Sequence, residues 1–243
     1  MSDQSEKSTH KKIILVISSL RGGGAERVMS NLANYWAERG LDVILVTLDN
    51  SLIDEAYSII HLVKRCILYY PVGTNKFQTL YAQGRRLLAL RNLLKTEKPD
   101  VVLSFMTPVN LLTLLAVQGT GVRAVVSERI NPEKYSYGPI SNLLRRFLYR
   151  LADCVVAQTE SIREWLEQNT GANVVTIPNY IKVPPGTDEY YKKEQLVIAV
   201  GRLDKQKGFD VLIKAFAQQQ HVYSDWKLCI LGEGPERKTP PNT

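Results

Sequence analysis

The sequence is poor in the residues that build metal sites and covalent cross-links, with only three cysteines and three histidines in 243 residues. Cys66, Cys154 and Cys229 are far apart, odd in number and each set in or beside an apolar stretch, a pattern of buried thiols rather than of disulfides or metal ligands. His10, His61 and His221 are equally scattered, which excludes zinc-like spacing. No run approaches the ~18 consecutive apolar residues of a membrane span, and the opening "MSDQSEKSTHKK" lacks the apolar core of a signal peptide. These absences predict a cytoplasmic chain. Helix-turn-helix, zinc-finger and aromatic-rich basic patterns are missing as well, which argues against nucleic acid as a partner.

What is present is the composition of a folded globular chain, 44% hydrophobic and 23% charged, long enough for one large domain or one and a half. A formal charge of +7 suits anionic partners such as an acidic membrane surface or phosphorylated small molecules. Short β-branched runs at 11–20, 41–49, 99–106, 122–128, 153–159 and 172–178 read as strands buried on both faces. Between them lie helical patterns. Ala25, Val28, Met29, Leu32 and Trp36 share one face of a helix that ends at Gly40. Phe77, Leu80, Tyr81, Leu87, Leu88, Arg91 and Leu94 mark a second, Leu143, Leu144, Phe147, Leu148 and Leu151 a third, and "ESIREWLEQN" a fourth. Alternation of this kind predicts an α/β fold, a Rossmann-like doubly wound parallel sheet with ligands at the carboxyl ends of its strands.

The pattern divides the chain into a polar tail at 1–11, an N-terminal domain at 12–180 and a Pro- and charge-rich linker at 181–194. A second Rossmann-like domain starts over 195–237 and is incomplete, and residues 238–243 form an aberrant tail.

Two loops look built for phosphate. "SSLRGGGAERV" (18–28) places glycines between a strand and a helix start, where backbone N–H groups and the helix dipole favour an anion. As a dinucleotide fingerprint it is defective, since Gly22 and Gly24 match G-x-G-x-x-G but Arg27 holds the third position. The glycines equally fit a plain tight turn, and Asp49 reads either as a ribose carboxylate or as a strand-end residue that starts a turn with Asn50. Glu26 suits the helix dipole but opposes a bound anion, so it meets either a sugar hydroxyl or Arg27. In "VGRLDKQKGFDVLIKAF", Arg202 and Lys207 bracket a strand-to-helix loop, where they either converge on a diphosphate or stay solvated. "LGEGPE" ends the next strand with Gly232 and Gly234, which would allow a ligand close to the backbone.

Taken in order, "GGGAERV", "VVSERINP", "AQTESIREWL", "TIPNYI", "VGRLDKQKGFDVLIKAF" and "LCILGEGPE" resemble the family 4 glycosyltransferases, retaining enzymes of the GT-B fold. The resemblance spans about residues 12 to 237. It implies two Rossmann-like domains, a nucleotide-sugar donor held mainly by the C-terminal one, a glycan or lipid-linked acceptor held mainly by the N-terminal one, and no cofactor or metal. On this resemblance Gly23, Gly24, Arg202, Lys207 and Gly232 would contact the donor phosphates. Glu128 and Arg129 would be candidate catalytic groups near the reacting sugar, and Glu26, Ser104 and Met106 would line the acceptor side. From the residues alone, Glu128 and Arg129 are equally a pair that holds the loop before Pro132, and Met106 reads first as a core residue.

The resemblance also marks a departure. Family members continue past "GEGPE" with further strands and two glutamates two helical turns apart that contact the donor, whereas this sequence ends in "RKTPPNT". A truncated or frameshifted product is the expectation, with a non-catalytic remnant that binds acceptor or a partner as the alternative to an enzyme. A nicotinamide oxidoreductase is disfavoured by Arg27 and by the second β-α-β start. Basic helices carrying Arg85, Arg86, Arg91 and Lys95, and Arg145, Arg146 and Arg150, read either as ordinary surface helices or as a peripheral contact on the inner face of a membrane.

Overall fold

The computed structural model describes residues 11–49, 55–71, 75–180 and 194–238. The chain divides into two compact units, residues 1–181 and 182–243. Most of the linker and both terminal tails, and Asn50 with them, lie outside the described residues.

Unit 1 alternates strands and helices as β1 (Lys12–Ile17), α1 (Gly24–Glu38), β2 (Asp42–Thr47), β3 (Lys64–Ile67), α2 (Lys76–Glu97), β4 (Val101–Phe105), α3 (Thr107–Val117), β5 (Arg123–Ser127), α4 (Pro139–Leu148), β6 (Cys154–Ala157), α5 (Glu160–Thr170) and β7 (Val174–Thr176). All neighbouring strands pair in parallel, in the order β3-β2-β1-β4-β5-β6-β7. Ile14 stands opposite both Ile44 and Val102, so the most apolar strand is central. Alternation along the strands feeds two cores. Ile14, Val16, Ile44, Val46, Val102 and Val126 meet Leu90 and Leu94 of α2, Leu114 of α3 and Leu166 of α5 on one face. Leu15, Ile17, Leu45, Leu103 and Phe105 meet Met29, Ala33 and Ala37 of α1 on the other.

Local chemistry sets the helix ends. The Asn75 side chain caps α2 by accepting from the Gln78 N–H, Thr159 caps α5 by accepting from the Ile162 N–H, and Gly171 closes α5 at φ 65°. Since β1 lies between β2 and β4, the chain leaves its two central strands toward opposite faces, and a crevice opens between the carboxyl ends of β1 and β4.

Unit 2 comprises β8 (Leu196–Val200), a 3-10 turn (Lys205–Lys207), α6 (Phe209–Gln219) and β9 (Lys227–Leu231), with β8 and β9 parallel. Unlike the central strands of unit 1, these are not closed over, and Ile198, Val200 and Leu231 are exposed. The three cysteines are unpaired, lie in β3, β6 and β9, and are half-buried rather than fully buried. No described helix is long and apolar enough to cross a membrane.

Candidate functional site

At the crevice edge of unit 1, the glycine loop is held from an unexpected direction. The Tyr57 hydroxyl donates to the Gly23 carbonyl at 2.9 Å and accepts the Gly23 N–H at 3.3 Å, while Ala56 N–H donates to the Leu20 carbonyl. Gly22 takes φ 131°, which an L side chain resists. Glu26, half-buried in the first turn of α1, folds its carboxylate back into the space that a Cβ at Gly23 would occupy. That position lets it offset the positive end of the helix dipole. Arg21 pairs with Asp49 at 3.2 Å. Tyr57→Phe removes both bonds to Gly23 and is expected to cost about 1–2 kcal/mol, read by urea denaturation.

At the ends of β4 and β5 lies a buried polar network. Glu128 is 1% exposed. Its carboxylate accepts the Thr107 hydroxyl at 2.8 and 2.9 Å and the Tyr149 hydroxyl at 2.8 Å, and faces the Arg145 guanidinium at 3.9 Å. Asn110 donates to the Ser127 carbonyl and to the Tyr149 oxygen, both at 3.0 Å, and accepts from the Ser104 hydroxyl at 2.8 Å. Arg145 also donates to Asn142 and lies over the Trp165 ring. Burial pushes the Glu128 carboxyl upward, against the lowering by Tyr149, Thr107, Arg145 and the Arg129 backbone N–H. Burial and the nearby Glu128 hold Tyr149 well above the usual phenol range and Tyr137 at about 12. Next to this network, Met106 adopts φ 77°, and Asn110 N–H donates to its carbonyl in the first turn of α3.

In unit 2 the loop that follows β8 carries two basic side chains next to Gly201 in sequence or in space. Gly201 N–H donates to the Leu231 carbonyl, tying the β8 end to β9. Arg202 follows directly, exposed, with its guanidinium on Asp204 at 2.6 Å. The Lys207 methylene chain passes 3.8 Å from where a Cβ of Gly201 would stand, and Phe209 passes at 3.3 Å. Gly208, at φ 65°, then opens α6. The carboxyl edge of β8 therefore presents two positive side chains beside a helix start, an arrangement that suits a diphosphate.

Comparison with known proteins decides the class. Residues 22–183 match the model described as Glycosyltransferase Family 4. The chain belongs to glycosyltransferase family 4. Residues 187–242 of this family 4 chain match a second model, Glycosyl transferases group 1. It is 29% identical over 234 residues to the GalNAc-alpha-(1->4)-GalNAc-alpha-(1->3)-diNAcBac-PP-undecaprenol alpha-1,4-N-acetyl-D-galactosaminyltransferase of Campylobacter jejuni, covering 93% of this chain and 63% of that protein. It is 26% identical over 243 residues to the N-acetylgalactosamine-N,N'-diacetylbacillosaminyl-diphospho-undecaprenol 4-alpha-N-acetylgalactosaminyltransferase of the same organism, covering 92% of this chain and 63% of that protein. Among solved structures, sucrose-phosphate synthase from Thermosynechococcus elongatus matches with TM-score 0.74 and 14% identity over 94% of this chain and 64% of that one, which shows the GT-B fold. The family 4 chain thus spans less than two thirds of the length of these relatives.

Several residues that the family 4 resemblance singles out take other parts. Glu128 does not pair with Arg129. Strand alternation sends the two to opposite faces, and the buried carboxylate engages Thr107, Tyr149 and Arg145. Ser104, fully buried, donates to Asn110 rather than lining an open acceptor pocket. Gly232 gives its space to its own chain, because a Cβ there would overlap the Gly201 carbonyl. Gly23 is engaged by Tyr57 and Glu26, and Gly24 opens α1 with open space around it. Thr107, Asn110, Arg145 and Tyr149 escape sequence reasoning because none sits in a short motif. Tyr57 escapes because it lies 34 residues from the loop that it holds.

Proposed function

We propose that the chain carries the acceptor-side and donor-side units of a glycosyltransferase that moves a sugar, with retention of configuration, from a nucleotide-sugar to a lipid-linked glycan acceptor. The placement of Arg202 and Lys207 around Gly201 carries the donor half of this reading. As the sugar departs, charge develops on the nucleoside diphosphate, and two cations beside a helix start stabilise that charge more strongly than the ground state. The reading therefore assigns leaving-group stabilisation to these side chains and invokes no metal. The acceptor half is supported by the relatives, whose names specify undecaprenol-linked saccharides. A lipid-linked acceptor places the enzyme on the inner face of a membrane, which the chain would meet through the basic surfaces of α2 and α4.

The test supplies UDP-, GDP- and ADP-sugars together with polyprenyl diphosphate-linked saccharides and follows release of the nucleoside diphosphate. Release is expected with one base, and Lys207→Ala is expected to lower kcat/KM by roughly 10²–10³, as removal of one transition-state charge donor does. Turnover unchanged in Lys207→Ala, or absent with every donor, would sink the proposal.

A further inference from the structure

Among the described residues, one cation of unit 1, Arg129, has no anion of its own. Arg129 leaves the end of β5 on the α1 side of the sheet, opposite to Glu128. Its guanidinium lies 3.7 Å from the centroid of the buried Phe105 ring and donates to Asn179 Oδ1 at 2.7 Å. The same Asn179 oxygen accepts from Gln158 at 2.9 Å, so the partner is fixed from a second side. The Arg129 Nε is buried and makes no hydrogen bond, and no described carboxylate lies within ion-pair distance of the side chain. Desolvation, with no compensating charge, lowers the Arg129 pKa to about 10. A half-buried guanidinium held over a ring, with one side-chain hydrogen bond and no carboxylate partner among the described residues, is a charge without compensation there.

We infer that Arg129 is the seat of an oxyanion of the acceptor, a phosphate of its lipid linkage or a carboxylate of its glycan. The inference rests on the lipid-linked acceptor reading and deepens it. The crevice offers this anion little else. The Gly23 N–H is spent on Tyr57, and the Glu26 carboxylate covers the loop, so α1 repels a second negative charge where the glycines invite one. The donor's diphosphate has its own cations in unit 2. Phe105 and Asn179 hold the guanidinium in place, and its planar fork can offer two N–H groups to two oxygens of one anion, which lysine cannot reproduce.

The experiment is calorimetric titration of the 243-residue chain with farnesyl diphosphate, glucuronic acid, and UDP, GDP and ADP, for wild type, Arg129→Gln and Arg129→Lys, with thermal midpoints recorded for each. Farnesyl diphosphate binding that falls at least tenfold in Arg129→Gln and is only partly rescued by Arg129→Lys assigns the seat to the lipid phosphate. The same pattern with glucuronic acid assigns it to a glycan carboxylate. In both cases nucleoside diphosphate binding stays as in wild type, and the Arg129→Gln midpoint holds or rises because an unpaired charge is gone. Three outcomes overturn the inference: a lowered midpoint with acceptor-probe binding intact, a loss confined to the nucleoside diphosphates, or a wild type that binds neither acceptor probe. Failure of sugar transfer alone would strike the proposed function, since these titrations require no turnover.

Discussion

Glu128→Ala is expected to destabilise unit 1 by about 3–5 kcal/mol, because it leaves the Arg145 guanidinium buried, only 2% exposed, without its carboxylate. For a unit of this size the thermal midpoint would fall by roughly 10 °C. Trp36 and Trp165 report on unit 1 and Trp226 on unit 2, so fluorescence separates the two. The penalty lies in the broken network. Thr107, Tyr149 and the Arg129 backbone N–H all donate toward the same carboxylate, and the low dielectric that strengthens these bonds makes their loss costly. Glu128→Gln keeps the shape and removes the titration. The groups that face it are Thr107 from α3, Arg145 from α4, and Tyr149 and Tyr137 from the segments flanking α4. Burial raises the folded-state value of this carboxyl above its unfolded value. Its contribution is therefore full below the unfolded value and is lost as pH rises through the folded one. Wild type should accordingly lose stability relative to Glu128→Gln as pH rises from the ordinary glutamate range, a difference measured by denaturation at a series of pH values. A wild-type advantage that grows with pH would contradict the account.

Replacing Ile140 and Phe147 together by glutamate is expected to reduce partition of the chain onto anionic vesicles by at least tenfold. Ile140 is 73% exposed, and Leu143, Phe147 and Leu151 are exposed with it along α4 and the turn that follows. Arg146 and Arg150 are exposed beside them, so apolar groups that could enter the headgroup boundary are flanked by cations for the phosphates. Each apolar group is worth up to about 1.5–3 kcal/mol when fully buried, and each basic residue near the surface about 1 kcal/mol. The basic surface is smaller than the sequence implies. Arg145 is turned inward to Glu128, Arg86 donates to the Tyr70 carbonyl, and Arg91 donates to the carbonyls of Ala116 and Gln118. Flotation with phosphatidylglycerol vesicles reads the effect, and Arg146→Glu with Arg150→Glu should weaken binding further at low salt. Wild type that stays free of such vesicles, or a double variant that floats as well as wild type, would exclude α4 as the docking surface.

The strands that carry long β-branched runs were legible because a strand buried on both faces needs no partner information to be read: β1, β2, β4, β5, β6 and β7 all fall inside such runs. β3 was not legible. Its four residues include Lys64 and Arg65, and as an edge strand it is only partly covered. α3 was missed for the opposite reason. "TPVNLLTLLAV" is buried nearly all round between α2 and α4, so it has no polar face to reveal a helical period. The site follows the same division. Arg202 and Lys207 were legible as a pair because they lie five positions apart in one strand-to-helix loop, whereas Glu128, Tyr149 and Asn110 meet across 21 to 39 residues and only the topology unites them. The glycine loop was visible as a loop, but its partner Tyr57 and the return of Glu26 over Gly23 are tertiary facts.

The most direct test of the donor site is the thermal midpoint of the 243-residue chain with and without millimolar UDP, GDP, ADP and NAD, repeated for Lys207→Ala. A ligand at ~100 times its dissociation constant stabilises the folded state by about 2.7 kcal/mol, which is readily resolved. The account predicts an upward shift with one nucleoside diphosphate, none with NAD, and loss of the shift in Lys207→Ala. A cooperative transition that none of the diphosphates moves, or a shift that survives Lys207→Ala, would contradict it.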